Sequence, residues 1–203
     1  MGSRTAIGCG VVILLLALIV GGGAAGAYNN LVSLDQATQA QWGQVENVYQ
    51  RRADLIPNLV ATVKGVANFE KSTYIAVAQA RAKVGQVTAG GTSGTANNPQ
   101  AFARYQQAQD GLTSALSRLL AVVENYPDLK ANENFLTLQA QLEGTENRIA
   151  VERMRYNEVA QSFNTTRQSF PTNIFANFFG PRFDVKPYFQ AQPGAETAPK
   201  VTF

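Results

Sequence analysis

The stretch FLTLQAQLEGTENRIAVERMRYNEVAQSFNTTRQSF, residues 135–170, marks a seam at alternating steps of three and four: Phe135, Leu138, Leu142, Thr145, Ile149, Glu152, Tyr156, Val159, Phe163, Thr166 and Phe170. Mostly apolar positions at that spacing form one face of a long helix. A mean step of 3.5 residues suits neighbours packed at shallow angles, as in antiparallel up-and-down bundles. Two other stretches share the rhythm. One runs through Ile56, Leu59, Val63, Val66, Glu70, Thr73, Val77, Ala80, Val84 and Val87, the other through Phe102, Tyr105, Gln109, Leu112, Leu116, Leu119, Val123 and Tyr126. Residues 28–53 carry a weaker version in Leu31, Leu34, Trp42, Val45 and Tyr49. The fold class is therefore all-α, an antiparallel up-and-down bundle of three to four long helices.

Ahead of the bundle, no charged residue occurs from Thr5 to Leu34. The centre, Val11-Val-Ile-Leu-Leu-Leu-Ala-Leu-Ile-Val20, is wholly aliphatic, and Ala/Gly-rich flanks extend it over Ala6–Ala27. A helix of that length spans roughly 33 Å, enough to cross the hydrocarbon core of a bilayer. The expected organisation is a short flank (1–5), a transmembrane signal anchor (6–27), the bundle (28–170) and an irregular tail packed on it (171–203). Ala25-Gly26-Ala27 also satisfies the pattern of signal-peptide cleavage, which would release a domain beginning at Tyr28. Arg4 precedes the segment and the next basic residue is Arg51. The positive-inside rule then puts the N-terminus in the cytoplasm and the bundle on the other side. Gly22-x-x-x-Gly26 and a charged fraction of 15% point to a homo-oligomer; the alternative for the glycines is a small-residue flank.

Breaks are marked by turn chemistry. Gly85–Pro99 (GQVTAGGTSGTANNP) reads as a mobile connector, and Tyr126-Pro127-Asp128 stops a helix, with Asn132 or Asp128 able to cap the next. Pro57 either kinks one long helix or separates two. The tail from Phe170 holds five of the eight prolines and seven of the eleven phenylalanines. Disordered segments are poor in aromatics, so this one is expected to cover a groove of the bundle or to touch membrane or a partner.

Composition excludes much chemistry. The chain has 203 residues, one cysteine and no histidine. Ser-His-Asp and Cys-His pairs are therefore impossible, as are Glu-x-x-His metal motifs. A net charge of +3, scattered along the chain, makes no basic stripe for nucleic acid. Neither a cofactor nor a metal is expected. Glu143 and Glu146 are the nearest thing to paired carboxylates, and an enzyme built on them or on Tyr156 is the remotest alternative.

Several strings are unusual for plain bundle sequence. Tyr28-Asn-Asn-Leu-Val-x-Leu34 follows the apolar segment, and Arg51-Arg-Ala-Asp-Leu-Ile-Pro-Asn-Leu-Val60 surrounds Pro57. Glu124-Asn-Tyr-Pro-Asp-Leu-Lys-Ala-Asn-Glu-Asn-Phe135 leads into Glu146-Asn-Arg-Ile-Ala150, Arg153, Tyr156-Asn157, Asn164 and Phe170-Pro171, and the chain ends Ala198-Pro-Lys-Val-Thr-Phe203. Over nearly its whole length this closely resembles the LemA family of bacterial membrane proteins. One departure is Phe69, where many members carry histidine. The resemblance implies a single membrane helix followed by a helical bundle in the bacterial inner membrane, with no established catalysis. It also implies a setting in envelope stress or membrane-protein quality control beside a membrane-embedded zinc metalloprotease.

The expected function is a membrane-tethered, non-enzymatic scaffold with protein partners. The alternative is a membrane-shaping or membrane-sensing protein that self-assembles. Arg51, Arg52, Asp54, Pro57 and Asn58 form either a recognition patch or an ion-pair cluster bracing the proline, with Asp54 capping freed N–H groups and Asn58 meeting exposed carbonyls. Arg153, Asn157 and Asn164, flanking the seam at Tyr156 and Phe163, fix register in the bundle, pair with Glu146 and Glu124, or bind a ligand. Val201, Thr202 and Phe203 either dock as a terminal strand in a PDZ-type groove or pack on the bundle.

Overall fold

Helix α1, Gly2–Lys64, runs for 63 residues, roughly 95 Å at 1.5 Å per residue, in a computed structural model that describes residues 2–65, 70–89, 91–92 and 94–191. The apolar segment and the first bundle helix are thus one element. Its large aliphatic side chains from Val11 to Val20 are each more than half exposed. This stretch is long and apolar enough to cross a membrane, and no part of its apolar window is buried in the chain.

The other helices are α2 (Lys71–Thr88), α3 (Pro99–Val123), a single turn α4 (Pro127–Lys130), α5 (Glu133–Gln168) and the short α6 (Thr172–Ala176). Helix α1 lies along α5, and α2 lies along both α3 and α1. Gln41 meets Glu152 and Arg52 meets Glu146, so α1 and α5 run antiparallel. With no strand among the described residues, this is the expected all-α up-and-down bundle with an irregular tail. Local chemistry starts the helices. Asn98 accepts from the Gln100 and Ala101 amides at 3.0 Å ahead of Pro99, and Asn132 caps α5 through the Phe135 amide at 3.1 Å.

Most seam positions are covered, but Glu70 and Val87 are exposed and Val66 lies outside the described residues; three further differences stand out. The run from Ile56 to Val87 is split: α1 ends at Lys64 and α2 begins at Lys71, both facing the same core. Phe170, the last position of the α5 stripe, is 80% exposed because α5 has already ended. The connector is shorter than its composition implies, since α2 continues through Gly85 to Thr88. Within it, a 3₁₀ turn at Thr95–Asn97 buries Thr95 and Ala96 against the aromatic core.

Helix α1 passes through Pro57 without interruption. Proline has no N–H, so the carbonyl four residues earlier, that of Ala53, loses its helical donor. Arg81 of α2 replaces it, its Nε donating to Ala53 O at 3.1 Å. The bracing expected of Asp54 and Asn58 is not what is found. Asp54 is exposed and accepts from Gln50 at 2.8 Å, and Asn58 is exposed, with its own carbonyl taking the Thr62 hydroxyl. A proline orphans a carbonyl, which needs a donor, and a carboxylate is not one. Arg81→Ala is expected to cost about 0.5–1 kcal/mol, and nothing measurable once Pro57→Ala restores the N–H. Urea unfolding of the detergent-solubilised chain, followed by Trp42 fluorescence, measures both.

Candidate functional site

Helices α2 and α3 have 18 and 25 residues against the 36 of α5. Around Trp42 the four-helix section therefore gives out, and α1 and α5 continue as a pair toward the apolar segment. The groove between them is filled by the tail, which turns at Gly180 (φ 87°) and runs back along α5 as an extended strap. Phe183 packs with Leu31, Phe163 and Ala176, and Phe189 enters a box of Trp42, Phe102, Tyr105 and Tyr156. Centroids of Phe102 and Phe189 are 4.7 Å apart, a separation suited to ring–ring attraction.

Two asparagines of α5 hold the strap's backbone. Asn164 donates to Lys186 O at 2.9 Å and accepts from Lys186 N at 2.8 Å. Asn157 makes the same pair of bonds with Phe189, at 3.0 and 2.9 Å. The spacings match: seven helical residues advance about 10.5 Å and three extended residues about 10 Å. Gln106 adds a bond to Gln190 O at 2.9 Å, and Arg167 donates to Phe183 O.

The strap's side chains close on a buried charge. Lys186 Nζ lies 2.6 Å from Asp35 Oδ1, with both side chains fully buried. Arg182 and Gln39 each reach Asp35 Oδ2 at 2.9 Å. Lys186 also donates to Arg182 O and Asn97 Oδ1, and sits 4.5 Å from the centre of the Phe163 ring. Burial lowers the Lys186 pKa from its ordinary 10.5, against the opposing hydrogen bond and charge of Asp35. Desolvation thus outweighs what the carboxylate returns.

A second polar layer crosses the middle of the bundle. Arg52, wholly buried, reaches Glu146 Oε1 at 2.9 Å and Thr113 Oγ1 at 2.7 Å, and donates to Gln109. Arg153 pairs with Asp110 at 2.9 Å and donates to the Tyr49 hydroxyl, whose pKa burial raises against the pull of Arg153. Arg52 Nε and the Tyr156 hydroxyl are buried without a hydrogen-bond partner.

The sequence candidates therefore separate. Arg52, Arg153, Tyr156 and Asn157 converge on the interior, while Arg51, Asp54, Pro57 and Asn58 stay on the surface. Arg153 does not pair with Glu146 or Glu124: Arg52 takes Glu146, and Lys130 takes Glu124. Asn157 and Asn164 bond the strap's backbone instead of a carboxylate. Glu143 and Glu146 both line a shallow cleft of about 320 Å³ between α3 and α5, where Glu143 is exposed and accepts from Gln139 while Glu146 is held by Arg52. A cleft of about 510 Å³ beside Tyr49 is lined by Glu46, Arg81 and Gln109, but Glu46 holds the Trp42 indole and Arg81 holds Ala53. No group of three or more His, Cys, Asp or Glu side chains able to hold a metal occurs among the described residues. Val201, Thr202, Phe203 and Phe69 lie outside them.

Asp35, Lys186 and Asn97 were not singled out from sequence, and Gln109 only as a position of the α3 seam. The α1 rhythm contains a signal for Asp35: Leu31, Asp35, Thr38, Trp42, Val45, Tyr49, Arg52 and Ile56 follow steps of three and four without a gap, and all are buried. The strings around Arg52, Tyr126-Pro127 and Asn157 belong to a wider pattern, for residues 41–203 match the LemA family. The chain belongs to the LemA family. Among LemA-like relatives, magnetosome protein MamQ 2 of Paramagnetospirillum magneticum (strain ATCC 700264 / AMB-1) is 29% identical over 184 residues, covering 84% of this chain and 67% of that protein. Magnetosome protein MamQ of Magnetospirillum gryphiswaldense is 28% identical with the same coverage. Protein LemA of Metamycoplasma hominis is 26% identical over 151 residues, 74% of this chain and 64% of its own.

Asp35→Asn leaves a buried ammonium short of its counter-charge and is expected to cost about 3–5 kcal/mol at neutral pH. Adding Lys186→Met should recover much of that loss, giving a large coupling energy in a double-mutant cycle read by urea unfolding. The sign with pH follows from the lowered pKa. Between the folded value and 10.5, unfolding takes up a proton, so stability rises with pH across that window. The rise should persist in Asp35→Asn and vanish with Lys186→Met. Asn164→Ala is expected to cost about 1–3 kcal/mol and to speed hydrogen exchange at the Lys186 amide.

Proposed function

We propose that this LemA-family chain is a membrane-tethered interaction protein of the bacterial inner membrane, presenting a rigid helical surface to other membrane proteins. The continuity of α1 carries this reading. One helix enters the bundle directly from the apolar segment, with no linker between Ala27 and Tyr28. From Tyr28 to Lys64 it rises roughly 55 Å, so the bundle is held at fixed height and angle. The interior supports the same reading, because Arg52, Arg153, Asn157 and Lys186 are spent on internal contacts.

The surface offered is the outer groove of α2 and α3, about 700 Å³, which the strap does not cover. Ala76, Ala80, Ala108 and Gly111 leave room for a partner helix, and Lys83 and Arg104 flank it. The family resemblance adds a role without catalysis in membrane-protein quality control, beside a membrane-embedded zinc metalloprotease. Arg4 ahead of the segment supports an N-terminus in the cytoplasm and a bundle on the outer side.

Photo-crosslinking the full-length chain in native membranes tests the reading. A crosslinkable side chain at Lys83 or Gln107 is expected to give discrete adducts with membrane proteins, while one at Arg155 on the outer face of α5 gives none. The same adducts from all three positions, or none from any, overturn it.

A further inference from the structure

Three large apolar side chains project where α5 gives way to the tail: Phe170, Ile174 and Phe178 are 80%, 51% and 84% exposed. Farther along the tail, Phe183 and Phe189 are 1% and 8% exposed, and Val185 and Tyr188 are 41% and 40%, well below Phe170 and Phe178. An exposed apolar cluster of this kind marks a surface that meets something other than water.

Its height along the molecule says what that is. Leu31 of α1 and Phe163 of α5 share one buried cluster, and the two helices are antiparallel. Phe170 lies seven residues beyond Phe163, which brings it level with about the seventh residue before Leu31, Ala24, inside the apolar segment. Helix α6 packs on both α1 and α5. Ala24 and Ala27 are partly covered, whereas the other described side chains from Gly10 to Tyr28 are exposed. Tyr28 closes the joint, its ring edge-on to Phe179 and Phe183 at 5.1 and 5.6 Å.

Charge agrees with height. No charged residue occurs from Gln168 to Pro181, and the charged residues on either side, Arg167 and Arg182, are paired with Asp184 and Asp35. The carboxylate nearest the segment, Asp35, is buried under the strap. An uncharged aromatic surface suits the headgroup boundary of a bilayer, where rings are favoured.

We propose that Phe170, Ile174 and Phe178 form a collar inserted into the interface of the bilayer that α1 crosses. Lipid is the occupant because the collar is continuous with the membrane segment and lies at its depth. The inference rests on the reading that α1 spans a membrane. It goes further in making the base of the bundle a second, peripheral attachment that fixes the anchor's tilt and rotation.

The test uses the full-length chain in vesicles of phosphatidylglycerol and phosphatidylcholine, the latter brominated in the upper acyl chain. Trp42 is the chain's single tryptophan and is buried in the box, so it serves as internal reference. In Phe170→Trp and Phe178→Trp, the added emission should be largely lost to brominated lipid and shielded from aqueous acrylamide. Met154→Trp, at an exposed site higher on α5, should behave in the opposite way, and Leu15→Trp should be quenched by lipid. Collar tryptophans that behave like Met154→Trp, or that are shielded from both quenchers by a second copy, overturn the proposal while Leu15→Trp remains quenched. Escape of Leu15→Trp from brominated lipid shows that the spanning reading itself has failed, and the collar with it. Unchanged circular dichroism establishes that these surface variants are folded.

Discussion

Unequal helix length is the constraint on which the rest of this structure depends. Helices α1 and α5 continue past the point where α2 and α3 stop, and a pair of helices cannot bury an apolar face on its own. Something must occupy the vacated half of the bundle, and the chain uses its own tail. An extended segment lying in a groove brings backbone N–H and C=O groups that need partners. Asn157 and Asn164 supply both a donor and an acceptor to Lys186 and Phe189, and Gln106 and Arg167 add donors at Gln190 and Phe183. Side chains that read as candidate ligand contacts are thus explained by the geometry of filling.

The Asp35–Lys186 pair makes sense in the same frame. Buried ion pairs add little net stability, because desolvation offsets attraction. What this pair adds is placement. Apolar side chains such as Val185 and Phe183 could settle against Leu31 and Phe163 in several registers, whereas an ammonium tolerates the one position opposite a carboxylate. The Asn97 contact extends that choice to the turn before α3, so strap, α1 and connector are set by one cation.

Much of the architecture was legible because helical periodicity is a local property. Every position of the α3 stripe from Phe102 to Val123 is buried, and Asn132 caps α5. What escaped was tertiary. Asp35, Thr38 and Arg52 occupy the α1 seam at regular steps, yet their side chains argue for solvent unless a partner is known, and Glu146 and Lys186, which pair with Arg52 and Asp35, lie 94 and 151 residues away. The role of Arg81 was hidden likewise, since the proline it compensates sits on another helix. Phe170 failed for the reverse reason: it keeps the period of α5, but a period does not say whether a neighbouring helix still lies opposite. The break between Lys64 and Lys71 left the rhythm intact because both flanking helices face one core.

The two asparagine rungs also constrain how this chain can change in length. Between Asn157 and Asn164 an inserted or deleted helical residue would rotate one rung away by about 100°. Between Lys186 and Phe189 a single added or removed residue would move the second rung about 3.3 Å along the strap, out of reach of its asparagine. The turn at Gly180, ahead of the first rung, has no such coupling. Length differences among related chains should therefore collect before Lys186 or beyond Phe189, leaving the rung-to-rung interval as a fixed ruler inside an otherwise variable tail.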